Sequence, residues 1–105
     1  MRSRYAAYAL NLPDYIIKTT HPDNPAYQSN QKKWTKELQA FSIHTQFIGL
    51  EIFTFTEKKN EAFVTFKATL SQNGQDISFT EKSRFLKKNN QWLYASGIVS
   101  INSRL

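Results

Sequence analysis

The apolar residues of this chain change their period near residue 45. Before that point they recur in threes and fours. Tyr5, Tyr8, Ala9 and Leu12 form one such set, and Trp34, Leu38 and Phe41 another. That spacing places each set along one face of a helix. After it, Phe, Val, Ile and Thr are dense and alternate with polar residues, as in half-buried strands. Three helices are expected before the change. The first begins with Ser3 as a cap and ends at Leu12-Pro13. Asp14 stands at the N-cap of a short second helix carrying Tyr15, Ile16 and Ile17. His21-Pro22 and Asn24-Pro25 stop it, and residues 21–30 read as a loop. Ser29 or Asn30 caps the third helix, whose other faces mostly carry Lys32, Lys33, Lys36 and Glu37.

Four strands follow, at about 46–56, 62–71, 76–87 and 91–101. Their separators are Lys58-Lys59-Asn60, Asn73-Gly74 and Asn89-Asn90. Asn-Gly accepts the positive φ angles of a type I′ turn, so it predicts a two-residue hairpin. Gln72 then pairs with Gln75, Ala68 with Phe79, Phe66 with Glu81 and Val64 with Ser83. One face carries Val64, Phe66, Ala68, Leu70, Ile77 and Phe79. The other carries Thr65, Lys67, Thr69, Ser78, Thr80 and Lys82. So clean a division supports the register. A two-residue turn at Asn89-Asn90 sets Phe85 opposite Tyr94 and Ser83 opposite Ser96. Trp92, Tyr94 and Ile98 then join the apolar face. The first hairpin has two solutions. A three-residue loop turns Ile48, Leu50 and Ile52 inward, and a two-residue loop turns Phe53 and Phe55 inward.

Helices first and strands afterwards define an α+β domain. The three helices must cover the apolar face of a four-stranded antiparallel meander. A twisted sheet curved around helices makes a cone with an interior. The chain of 105 residues is one domain, 1–105.

Composition narrows the chemistry. Cysteine is absent, which excludes a disulfide scaffold, a thiol nucleophile, a thiolate zinc site and a thioredoxin-type centre. Lys and Arg number 14 against 8 acidic residues, for a net charge of +6. The charge is dispersed through Lys32-Lys33, Lys58-Lys59 and Lys87-Lys88, two of which fall in turns. A solvated basic surface explains it better than a nucleic-acid site does. The opening MRSRYAAYAL is basic and then apolar, but its apolar stretch is short and broken by two tyrosines. It does not make a signal peptide, and no run is long enough for a membrane span. A cytoplasmic protein is expected.

Glu81 and Ser83 are the anomaly. Both fall on the face otherwise built of Phe, Val and Ile, where a carboxylate is costly unless it is paired or protonated. In a structural role Glu81 forms an ion pair with a helix-borne cation, for which Arg4 is the first candidate. In a functional role it is the floor of a pocket and a general acid or base. His21 sits where a loop could rim the cone, or caps that loop. His44 follows the third helix and suits its C-terminal dipole. Two histidines with no cysteine give no metal-ligand spacing, so no metal is expected. GxGxxG, GxxxxGK[ST] and GxSxG motifs are absent from the sequence, and no cofactor is expected. Tyr5, Tyr8, Tyr15, Trp34, Trp92 and Tyr94 are core residues whose polar atoms need partners. Where they converge they make a pocket both apolar and hydrogen-bonding. The candidate pocket is therefore Tyr5, Tyr15, His21, Trp34, Glu81, Ser83, Trp92 and Tyr94.

Several segments resemble the YchJ-like family of SEC-C motif-containing bacterial proteins. They are residues 1–9, MRSRYAAYA, then Asp14-Tyr15-Ile16-Ile17 and Thr20-His21-Pro22. Trp34, Phe41, Gly49-Leu50-Glu51-Ile52, residues 79–85 (FTEKSRF) and Trp92-Leu93-Tyr94 agree with it. The resemblance implies an NTF2-like, cystatin-like cone, with cysteine-rich zinc motifs flanking the domain in family members. It carries over no catalytic residues. The leading expectation is a non-catalytic module that binds a small molecule in the cone or a protein at its mouth. One alternative is a small isomerase or dehydratase using Glu81, by analogy of fold alone. Another is a basic module contacting RNA or the ribosome. The resemblance also raises a homodimer through the outer sheet face. That face is rich in Thr and Lys, with Leu86 and Leu93 as apolar exceptions.

Overall fold

A computed structural model describes residues 1–100. The far end of the last expected strand, at residue 101, lies outside them. Three helices come first: α1 (Arg2–Ala9), α2 (Pro13–Lys18) and α3 (Gln31–His44). Ser3 does not cap α1. It lies inside the first turn, where its hydroxyl shares a 2.7 Å hydrogen bond with that of Tyr15. Asn11, at φ 57°, swings the chain out of α1. Asp14 likewise lies within α2 rather than capping it. Pro13 opens that helix because its fixed φ suits a first turn that needs no N–H. At α3 the side chain of Asn30 is the cap and accepts from the Lys33 N–H at 3.1 Å. At its other end His44 Nδ1 lies 2.8 Å from the Ala40 carbonyl.

Five strands follow: β1 (Gln46–Glu57), β2 (Glu61–Gln72), β3 (Gln75–Asp76), β4 (Phe79–Lys88) and β5 (Gln91–Ser100). They form one antiparallel sheet ordered β1-β2-β4-β5, with β3 on β2. The third expected strand is split by its own side chains. Ser78 N–H donates to Asp76 Oδ1, and Ser78 Oγ takes the Leu70 N–H at 3.0 Å. Local side-chain bonds replace the ladder at that point. Register is nevertheless unbroken, with Ala68 opposite Phe79, Phe66 opposite Glu81 and Val64 opposite Ser83. Both Asn turns have positive φ at both central residues: Asn73 and Gly74, then Asn89 and Asn90.

Two strands carry bulges, and these changed the expected faces. In β1, Phe55 faces Val64, and a register shift then puts Ile52 opposite Phe66 and Leu50 opposite Ala68. A second shift puts Phe47 opposite Leu70. Each solution for the first hairpin thus holds in one part of the strand. Ile48 and Phe53, the extra residues, are exposed. In β5 the extra residue is Ala95. Tyr94 faces Phe85 as expected, but Gly97, not Ser96, faces Ser83. Asn24 Nδ2 donates to the Ala95 carbonyl at 3.1 Å, which gives the bulge a partner outside the sheet. Downstream of it Ile98 leaves the apolar face, pairs opposite Lys82 and is exposed.

The core has two parts. Ala62, Val64, Phe66, Ala68, Leu70 and Phe85 make the concave sheet face. Ala7, Ile16, Trp34 and Leu38 join the helices. Edge-to-face contacts tie the two layers through Tyr5 with Phe47 at 5.7 Å and Phe41 with Phe47 at 6.0 Å, and Tyr8 with Phe41 at 5.8 Å joins α1 to α3. Residues 19–21 close the outer edge of β5. Tyr94 N–H donates to the Thr19 carbonyl at 2.7 Å, and His21 N–H donates to the Tyr94 carbonyl at 2.9 Å. Leu93 is buried, so it offers no surface for a dimer. Among the described residues no helix is long and apolar enough to cross a membrane.

A candidate ligand site inside the cone

The concave face leaves a cavity of about 300 Å³ between α1, α3 and the sheet. Tyr8, Phe41, Phe47, Phe66 and Phe79 form its aromatic walls, and Glu81 and Tyr94 lie at its floor. The register puts Glu81 there, because it sits opposite Phe66 on the inward side of β4. It is 8% exposed, and the neighbouring Ser83 is completely buried. Glu81 Oε2 accepts two hydrogen bonds, from Ser83 Oγ at 2.5 Å and from Tyr94 Oη at 2.7 Å. These answer the desolvation cost in part, since bonds to a charged acceptor are the stronger kind. No hydrogen bond among the described residues falls on Oε1. The Tyr94 phenol is pushed well above its ordinary value, first by burial and then by its bond to Glu81.

Arg4 does not form the expected ion pair. Among the described residues no carboxylate pairs with it. Its guanidinium, in a residue 6% exposed, instead lies over the Tyr94 ring with Cζ 4.7 Å from the centroid. Nη1 donates to Thr19 Oγ1 at 2.7 Å, Thr20 Oγ1 at 3.2 Å and the Ile16 carbonyl at 3.3 Å. Tyr94 is thus interposed between the cation and the anion. Arg4 Nη1 could reach neutral oxygens because the turn after α2 places two Thr hydroxyls beside it. Burial lowers the pKa of Arg4, while Tyr8, Tyr94 and Glu81 raise it.

A second lobe of about 390 Å³ lies on the other side of Arg4, toward the β4–β5 turn. Met1 and Arg4 border both lobes. The expected pocket residues are distributed between them. Tyr5 and Tyr94 line the first with Glu81, and Tyr15 and Trp92 line the second. The Tyr5 hydroxyl is buried near the Gly49 main chain and makes no well-formed hydrogen bond among the described residues. Trp34 lines neither lobe. It is buried in the helical core, 5.2 Å edge-to-face from Tyr27. His21 lines neither lobe: its Nδ1 accepts from the Asp23 N–H at 3.0 Å and holds the loop turn. Ser83 acts only through Glu81. Tyr8, named among the converging aromatics but not in the candidate pocket, is one of the cavity walls, and Phe41 and Phe47 were missed although their helical and strand periods pointed inward. It also missed Gly97, whose placement depends on the bulge.

The profile of the family described as YchJ, middle NTF2-like domain, matches residues 1–97. Two solved SEC-C motif-containing proteins are similar over nearly all of this chain. The one from Rhodopseudomonas palustris is 30% identical with a TM-score of 0.76, covering 98% of this chain and 76% of that one. The one from Psychrobacter arcticus is 30% identical with a TM-score of 0.69, covering 99% of this chain and 60% of that one. TsrD from Streptomyces laurentii is 17% identical with a TM-score of 0.66, covering 95% of this chain and 83% of that one, a likeness of fold alone.

Proposed function

This chain belongs to the family of YchJ middle NTF2-like domains, and on that premise we propose that it is a non-catalytic module that binds a small molecule in the cone. The observation carrying this is the floor of the aromatic cavity, where Glu81 is fixed by Ser83 and Tyr94 with Oε1 unspent. A compact ring bearing one hydrogen-bond donor suits it. The ring meets aromatic walls and the donor meets a fixed acceptor, the usual chemistry of small-ligand pockets. At about 300 Å³ the cavity is at the small end of ligand pockets.

The enzymatic reading draws on the same pair, with Glu81 as acid/base. Its support is the Tyr94–Glu81 bond in an apolar setting. Against it, the Tyr94 hydroxyl hydrogen is committed to Glu81, so it is not free to polarise a substrate. The pair fits a fixed acceptor better than a proton relay.

Phenol is a suitable probe, titrated against the labelled protein by NMR. Saturable shifts are expected at Phe79 and Tyr94. Ala68→Leu, which fills the cavity from β2, should abolish them while the remaining spectrum stays dispersed. Shifts that never saturate, or that survive in Ala68→Leu, would count against the site.

A further inference from the structure

The second lobe has a chemistry of its own. No acidic residue lines it among the described residues. One end is polar: Arg4 with the hydroxyls of Ser3, Tyr15 and Thr19. Phe55, Val64, Phe85 and Trp92 make an apolar wall, and Asn90 and Gln91 border it at the β4–β5 turn. Phe55 is on the concave side yet 60% exposed. Its ring borders the lobe and can take an apolar group there.

Arg4 gives that lobe its sign. The guanidinium is nearly buried and has no carboxylate in salt-bridge contact among the described residues; Nη1 donates to neutral oxygens, and the Tyr8 phenol lies in hydrogen-bonding range of the same group. A buried cation without a counter-ion is costly, and a carboxylate is the planar acceptor that matches its fork. Ser3 and Tyr15 share one hydrogen bond, which spends one hydroxyl hydrogen and leaves the other to donate. Lys87 lies over the Trp92 ring at 5.5 Å and adds positive charge at the opposite end. We propose that the second lobe binds a small carboxylate joined to an apolar body. Its carboxylate sits at Arg4, and its apolar part lies against Trp92, Phe55 and Val64. The site stands independently of whether the first lobe is occupied, since Glu81 lies on the other side of Arg4.

Benzoate and benzyl alcohol separate charge from shape, because they share a ring and differ in the anion. In an NMR titration, benzoate is expected to shift the Trp92 indole and the Gln91 amide saturably. It should bind about tenfold more tightly than benzyl alcohol, as a charge-assisted bond requires. Binding should persist in Ala68→Leu, which closes only the first lobe, and should be lost in Trp92→Ala. Arg4→Lys, which keeps the charge without the fork, should weaken benzoate more than benzyl alcohol. Equal affinity for the two probes overturns the proposal. So does the absence of saturable binding by the unaltered protein, or benzoate binding that vanishes in a folded Ala68→Leu variant.

Discussion

Gly97 lies directly against the carboxylate of Glu81. A Cβ at Gly97 would overlap Glu81 Oε2, and it would come within 2.6 Å of both Glu81 Cδ and Tyr94 Oη. The bulge at Ala95 brings this glycine opposite Ser83, and the missing side chain is the space in which Glu81 rests.

Gly97→Ala is therefore expected to destabilise the fold by about 1–3 kcal/mol, the range for overpacking a filled site. Urea unfolding measures it. Gly49→Ala is the control, because nothing lies within 4 Å of its Cβ position. Equal effects of the two substitutions would show that Glu81 relocates freely.

Replacing Glu81 tests the two hydrogen bonds it accepts. Glu81→Ala leaves the Tyr94 and Ser83 hydroxyls without their acceptor, at a cost of about 1–3 kcal/mol. Glu81→Gln keeps a carbonyl oxygen in place and should cost less. If the two variants unfold at the same denaturant concentration as the parent, the carboxylate is not holding that floor together.

Tyr94 makes stability depend on alkaline pH. Its folded-state pKa lies above the unfolded value, so the native protein keeps a proton that the unfolded chain releases near pH 10. The associated stability is complete below about pH 10 and is lost as pH rises toward the folded value. Tyr8 is raised too, first by burial, and adds to the same slope. Urea midpoints measured from neutral to strongly alkaline pH should be flat and then fall. Tyr94→Phe should make the fall shallower; an unchanged slope would remove Tyr94 as its source.

The β2–β4 pairing was legible to the residue, because Asn73-Gly74 admits one turn and the polar and apolar faces divide cleanly about it. That placed Glu81 and Ser83 inside. The β5 faces beyond Tyr94 were not legible. Their shift depends on an Ala95 carbonyl held by Asn24, a contact spanning 71 positions of sequence. The Ser78 break was hidden for another reason: serine on the polar face reads as an ordinary strand residue until its hydroxyl takes the Leu70 amide. Arg4 and Glu81 were both recognised as charges facing the interior. Pattern alone could not show that a tyrosine ring would stand between them.

Tyr94 donates its main-chain N–H to Thr19 and accepts from His21 along the sheet edge, while its hydroxyl anchors Glu81. The floor of the cavity and the seal on an otherwise open strand thus share one residue. Any breathing of the cone that withdraws the segment after α2 unzips that edge and presents bare main-chain donors and acceptors to neighbouring molecules. Access to the interior and resistance to aggregation are therefore mechanically linked, and a substitution that loosens one weakens the other.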